Sequence, residues 1–212
     1  MRIILTAVDQ PMAEAWERFC GDVDVVSIHR GSIFDVNCDA LVSPANSFGF
    51  MDGGIDALYT QRLGRQVQQR LQDLIRARHH GELLVGAAEI VHTDDPSFPF
   101  VIAAPTMRVP MVLRESVNPY LAVRAVIRLV QHSTFPDGPF AGEPVADVVK
   151  VVAFPGMGTG VGGIGPNTCA RQTRAAVDEL LLGRQSFPAT WADAQAKHQL
   201  LYTDRIRDLQ KE

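Results

Sequence analysis

Two glycine-rich stretches hold the residues best placed to do chemistry. The first is Ser43-Pro44-Ala45-Asn46-Ser47-Phe48-Gly49-Phe50-Met51-Asp52-Gly53-Gly54-Ile55-Asp56, and the second runs from Pro155 to Pro166 with six glycines between Gly156 and Gly165. Each follows a short apolar run, Ala40–Val42 or Val151–Phe154, and each leads into residues of helical composition. A strand that ends in glycines before a helix leaves backbone N–H groups unpaired and facing one point, which makes an anion site. Two such loops grip two phosphates, or one diphosphate from both sides. That chemistry belongs to a binder of nucleotide-like ligands.

Two side chains in the first stretch add to this. Asn46 both donates and accepts, which suits ribose hydroxyls, but an Asn after Pro44 also satisfies the backbone of a turn. Asp56 opens a helix, where a carboxylate serves as cap and dipole partner as readily as it serves chemistry. Other polar groups read as structural. His79-His80 closes a helix, Arg108 sits on a solvated loop, Arg171 and Arg174 suit ion pairs, and Cys169 reads as a buried thiol. No G-x-x-x-x-G-K-[ST] segment is present, which excludes a Walker-type nucleotide hydrolase.

The elements that must position these residues alternate. Strands are expected at Arg2–Val8, Val23–His29, Asp39–Ser43, Glu89–His92, Phe100–Ala104 and Asp147–Phe154. Helices are expected at Pro11–Cys20, Ile55–Leu63, Arg65–Arg78, Pro119–His132, Asn167–Leu182 and Trp191–Gln210, with a surface loop over Ser133–Pro144. This alternation implies an α/β fold, a three-layer α/β/α sandwich around a central mixed sheet. With 212 residues and 46% hydrophobic content, the chain reads as one domain, 1–212, whose last part, 183–212, is a helical extension.

A formal net charge of −4 argues against DNA as a partner and gives an anionic ligand no long-range steering. Any phosphate site must therefore be built locally from backbone dipoles. Cys20, Cys38 and Cys169 are odd in number and far apart, which fits a reducing cytoplasm and neither a disulfide framework nor a zinc site. The apolar run Ile3–Val8 is too short for a signal segment, and nothing else is long enough to span a membrane.

Taken together, the blocks Ser43-Pro44-Ala45-Asn46, Asp52-Gly53-Gly54-Ile55-Asp56 and Gly158-Thr159-Gly160-Val161-Gly162-Gly163 resemble the macro-domain pattern. In that pattern an N-A-A-N turn precedes a G-G-G-V-D loop, and a later loop carries T-G-V. Arg30-Gly31-Ser32-Ile33 is similar to the family's G-D-I turn, and the resemblance spans about residues 25 to 182. It implies binding of ADP-ribose or ADP-ribosylated protein. Ser32 and Ile33 would lie at the adenine, and Asn46 at the distal ribose. Gly53, Gly54 and Ile55 would meet the ribose and diphosphate from one side, with Met157, Gly158, Thr159, Gly160, Val161 and Gly162 on the other.

The same resemblance implies that Asn46 and Asp56 catalyse hydrolysis of an ADP-ribosyl ester, with neither metal nor dissociable cofactor. A non-catalytic reader of ADP-ribose is the alternative. Three positions depart from the pattern. Ser32 stands where the family has an adenine-contacting Asp, Gly162 where an aromatic is common, and Thr60 where the hydrolytic branch has His. With a hydroxyl in place of imidazole, no titration is expected near the histidine range.

Overall fold

The computed structural model describes residues 1–208. Its strands are β1 (Arg2–Ala7), β2 (Val26–Arg30), β3 (Ala40–Ser43), β4 (Glu89–His92), β5 (Phe100–Ala103) and β6 (Val151–Phe154). They form one sheet in the order β2-β1-β6-β3-β5-β4, parallel throughout except for β4, which runs antiparallel to β5 at the edge. The helices are α1 (Gln10–Cys20), α2 (Gly54–Leu63), α3 (Gln66–Arg78), α4 (Asn118–His132), α5 (Val145–Val148), α6 (Pro166–Leu180) and α7 (Trp191–Leu200).

Period-two alternation along the strands divides the core. Ile3, Leu5, Ala40, Val42, Val152 and Phe154 pack with α1, α4 and α6 on one face. Leu41, Val101 and Ala153 pack with Tyr59, Leu63, Val67, Leu71 and Ile75 of α2 and α3 on the other. The result is the expected three-layer α/β/α sandwich with a mixed central sheet. The alternation also decides where Ser43 points. Two residues beyond Leu41, it shares that residue's face and so meets α2.

Three elements differ from expectation. The strand expected from Val23 begins only at Val26, because a turn in which Val26 N–H donates to the Val23 carbonyl at 2.8 Å precedes it. The β-branched run from Asp147 is not all strand. Residues 145–148 make one helical turn that buries both Val145 and Val149, and the strand begins only at Val151. Its start is fixed by Asp39, whose carboxylate accepts the N–H groups of Lys150 and Val151 at 2.8 Å each. The last helix begins as expected, with Thr190 accepting Asp193 N–H at 3.1 Å, but it ends at Leu200. The end expected at Gln210 lies outside the described residues. Among these residues no helix is long and apolar enough to cross a membrane.

Candidate functional site

The carboxyl ends of β2, β1, β6, β3 and β5 open onto a cleft of about 350 Å³. This is where ligands sit in parallel α/β sheets. Four strand spacings separate its ends, about 19 Å, enough for an extended dinucleotide-sized molecule. Among the described residues, Asp9, Asp52 and Asp56 contribute the only charged side chains of the lining, and no lysine or arginine takes part.

On the β3 side, side chains hold the loop. Asn46 Nδ2 donates to the carbonyl of Phe50 at 2.8 Å, while its Oδ1 accepts the N–H groups of Phe48 and Phe50 at 3.1 and 3.3 Å. Thr60 Oγ1 donates to the Met51 carbonyl at 2.6 Å, and Gln68 Oε1 accepts Met51 N–H at 2.7 Å. The loop delivers α2 with no side-chain cap at Gly53, so the N–H groups of Gly54, Ile55 and Asp56 find no acceptor among the described residues. Positive helix-dipole charge therefore faces the cleft.

Asp56 lies in that first turn and is only 6% exposed. Its Oδ1 accepts from Ser43 Oγ at 2.6 Å rather than from the helix backbone, so it is not the cap. Burial pushes its carboxyl up to about 7, with nearby Asp52 adding to the rise and the Ser43 hydrogen bond opposing it. A titration near neutrality thus exists where none is expected from the sequence. Its source is a buried carboxyl, not an imidazole.

On the β6 side, backbone does most of the holding, with Thr159 Oγ1 donating to the Gly156 carbonyl at 3.1 Å. Gly158 adopts φ +70°, a conformation costly for any residue with a Cβ. Its carbonyl accepts Ile164 N–H at 3.1 Å, and Gly160 O accepts Gly163 N–H at 3.0 Å. The N–H groups of Gly158 through Gly162 have no acceptor among the described residues. A Cβ on Gly162 would lie 2.5 Å from the Gly158 carbonyl oxygen and 2.9 Å from Leu113, so glycine is required there by close approach. Leu113 takes up space beside a position where the family commonly carries an aromatic.

A third wall was missed in the sequence. The connection between β5 and α4, residues 104–117, runs along both loops. Thr106 Oγ1 donates to Pro44 O at 3.0 Å, Asn46 bridges Met107, and Leu113 N–H donates to Gly162 O at 2.7 Å. Its length without periodicity, and its two prolines, were the available signal. Thr6 to Asp9 and Met12, at the β1–α1 junction, also line the cleft and carry no motif.

Of the expected site residues, Ile33, Asn46, Gly53, Gly54, Ile55, Asp56, Gly158, Thr159, Gly160, Val161 and Gly162 meet in this one cleft. Ser32 and Met157 are not among its lining residues. Ser32 turns inward to cap its own 3-10 turn, its Oγ accepting Phe34 N–H at 3.2 Å and Asp35 accepting its N–H in return at 3.0 Å. Met157 is fully buried in the core with α1, α4 and α6. Arg108 bonds Glu82 and stacks over Phe48, away from the lining, and Cys169 is a buried thiol raised to about 12 by desolvation.

Residues 42–173 match the Macro domain family. An uncharacterized protein of Aquifex aeolicus is 34% identical over 155 residues, covering 73% of this chain and 80% of that one. The macrodomain of Mycobacterium tuberculosis DarG aligns with a TM-score of 0.56 at 19% identity, over 72% of this chain and 89% of its own. A mutant of the Oceanobacillus iheyensis macrodomain, solved with ADPR, gives 0.57 at 17% identity, over 71% and 75%. The chain belongs to the Macro domain family.

Proposed function

We propose that this protein, a single domain, binds ADP-ribose in the cleft and hydrolyses an ADP-ribosyl ester to ADP-ribose and a free carboxylic acid. The observation that carries the binding reading is the pair of unpartnered N–H arrays, at the first turn of α2 and at Gly158–Gly162, opening onto one cleft that lacks cationic side chains. Backbone dipoles preorganised in this way hold a diphosphate without side-chain charge. The bound Oceanobacillus iheyensis relative supports the same ligand class.

Hydrolysis rests on Asp56. A carboxyl that titrates near neutrality at the cleft floor suits a general base. It takes a proton from a water held between Asn46, Asp56 and the diphosphate, and the diphosphate's own oxygens help orient that water. Asn46 fixes the loop and keeps one amide hydrogen for the distal ribose.

A reader that binds without turnover is the second reading. It is favoured by Thr60, whose hydroxyl is tied to the Met51 carbonyl and supplies no base. Release of ADP-ribose from an automodified ADP-ribosyltransferase separates the two. The wild type releases it, while Asp56→Ala and Asn46→Ala are both impaired. A wild type that binds ADP-ribose and releases none is a reader. Release untouched by both substitutions would mean the chemistry lies on other residues.

A further inference from the structure

The connection 104–117 turns an apolar strip outward at one end of the cleft. Met107 and Pro110 line the cleft, as do Phe50 and Val161 from the two glycine loops. Val109, Met111 and Val112 flank them and project into solvent, and these three with Phe50 and Val161 are 45–68% exposed. Exposed apolar side chains scattered singly are ordinary, but a group gathered at one mouth marks a surface that a partner covers. Of the charged residues along the strip, Arg108 is paired with Glu82, and Arg114 is followed at once by Glu115. The strip therefore carries no net charge of its own.

Its backbone is open as well. Residues 109–112 belong to neither helix nor strand. Among the described residues, the N–H groups of Val109, Met111 and Val112 have no acceptor, and no N–H donates to the carbonyls of residues 109–112. The flanks are pinned, since Ser47 N–H donates to Arg108 O at 3.2 Å and Leu113 N–H to Gly162 O at 2.7 Å. The stretch is thus held at both ends and presents donors, acceptors and apolar side chains together. An extended peptide that adds itself alongside a chain uses these same groups.

The position of the strip says which peptide. Asn46, assigned above to the distal ribose, bridges Met107, two residues before Val109. In an ADP-ribosylated protein the carrier is joined at that ribose, so its chain leaves the cleft here. Among the described residues the charged side chains of the lining are all carboxylic, and they repel an acidic chain. We infer that residues 109–112 dock the peptide flanking the modified residue, and that they favour an extended segment with apolar side chains over an acidic one. The inference rests on the ADP-ribose reading above and adds the carrier to it.

The test is fluorescence anisotropy with two short labelled peptides, each carrying one ADP-ribose on a glutamine side chain, whose amide linkage resists the hydrolysis an ester undergoes. One peptide has Val and Leu at alternate flanking positions, and the other has Glu and Ser there. Free ADP-ribose is titrated by calorimetry alongside. The wild type should bind the apolar peptide about fivefold or more tightly than the acidic one. The double variant Met111→Ser, Val112→Ser changes two exposed residues outside the cleft lining. It should bring the two peptides within about twofold of each other and leave the affinity for ADP-ribose unchanged. Thermal melting by circular dichroism shows whether the variant keeps its fold; if its melting drops, Val112→Ser alone takes its place and should likewise narrow the preference. A wild type that binds both peptides alike, or folded variants that keep the preference, overturns the docking role and leaves the ADP-ribose reading standing. A wild type that sediments as a dimer while the variant sediments as a monomer gives the strip to a second copy of this chain and overturns it too. A wild type that binds neither the peptides nor ADP-ribose overturns the ADP-ribose reading itself.

Discussion

The loop after β3 is held by amide and hydroxyl side chains from Asn46, Thr60 and Gln68, whereas the loop after β6 is held mainly by its own carbonyls, one of them bonded by Thr159 Oγ1, and by Leu113 from a neighbouring connection. The first presents a buried carboxyl as well as N–H groups. The second presents N–H groups on a backbone in which Gly158 has a positive φ and Gly162 admits no Cβ. Side-chain anchoring leaves room for reactive groups, because the loop's shape does not depend on lacking them. Backbone anchoring gives the closest approach to a ligand, and the one hydroxyl of this loop, Thr159, is tied to the Gly156 carbonyl. In the proposed function, one side of the cleft thus serves chemistry and the other grip.

The largest effect should come from breaking the grip. A Cβ at Gly160 meets nothing within 4 Å, so Gly160→Glu is compatible with the fold. It places a negative charge where the diphosphate would lie, in a cleft that already holds three carboxyls. Binding of ADP-ribose should fall by more than about 100-fold, with unchanged circular dichroism. Normal binding by the folded variant would remove the second loop from the phosphate site.

Asp56→Asn should break the chemistry and spare the grip. Turnover should drop by about 10²–10⁴, with affinity changed only a few-fold. In the wild type, kcat should rise as pH passes upward through about 7, because the base must be ionised. Stability should move the opposite way. The folded carboxyl holds its proton more tightly than the unfolded one, whose ordinary value is 3.8. The associated stability is full below pH 3.8 and is lost as pH rises through about 7, a loss on the order of 4 kcal/mol. Asp56→Asn escapes that loss, so its gain in Tm over the wild type should be greater at pH 8 than at pH 5. An equal Tm difference at both pH values would mean that Asp56 is already ionised in the folded protein at pH 5, so that burial does not raise its carboxyl.

The smallest effect sharpens the first loop's design. Ser43→Ala removes the hydrogen bond that stabilises the ionised Asp56. The midpoint of the kcat profile should then move upward by about one pH unit, the equivalent of a hydrogen bond of ~1 kcal/mol. A profile that does not move would limit Ser43 to packing.

Much of this architecture was legible in the sequence because it follows from local patterns. Strand–helix alternation gave the three layers, and the glycine blocks gave both loops. What stayed hidden depended on contacts distant in sequence. The Val145–Val149 turn looks like strand until the core that buries both valines is known. Ser32 and Met157 occupy motif positions, yet one caps its own turn and the other faces the core. Asp56 reads as a helix cap, and only the pairing of β3 with its neighbours shows that Ser43 reaches it and that it is largely buried. The 104–117 wall has no motif, since its role comes from bridging two loops that the fold brings together.

Titrating the wild-type protein with ADP-ribose and with AMP tests most directly whether both loops close on one diphosphate. ADP-ribose should bind with a Kd in the micromolar range, about −8 kcal/mol, and AMP, lacking the second phosphate and the distal ribose, far more weakly. Equal affinity for the two ligands would contradict the shared grip of the loops.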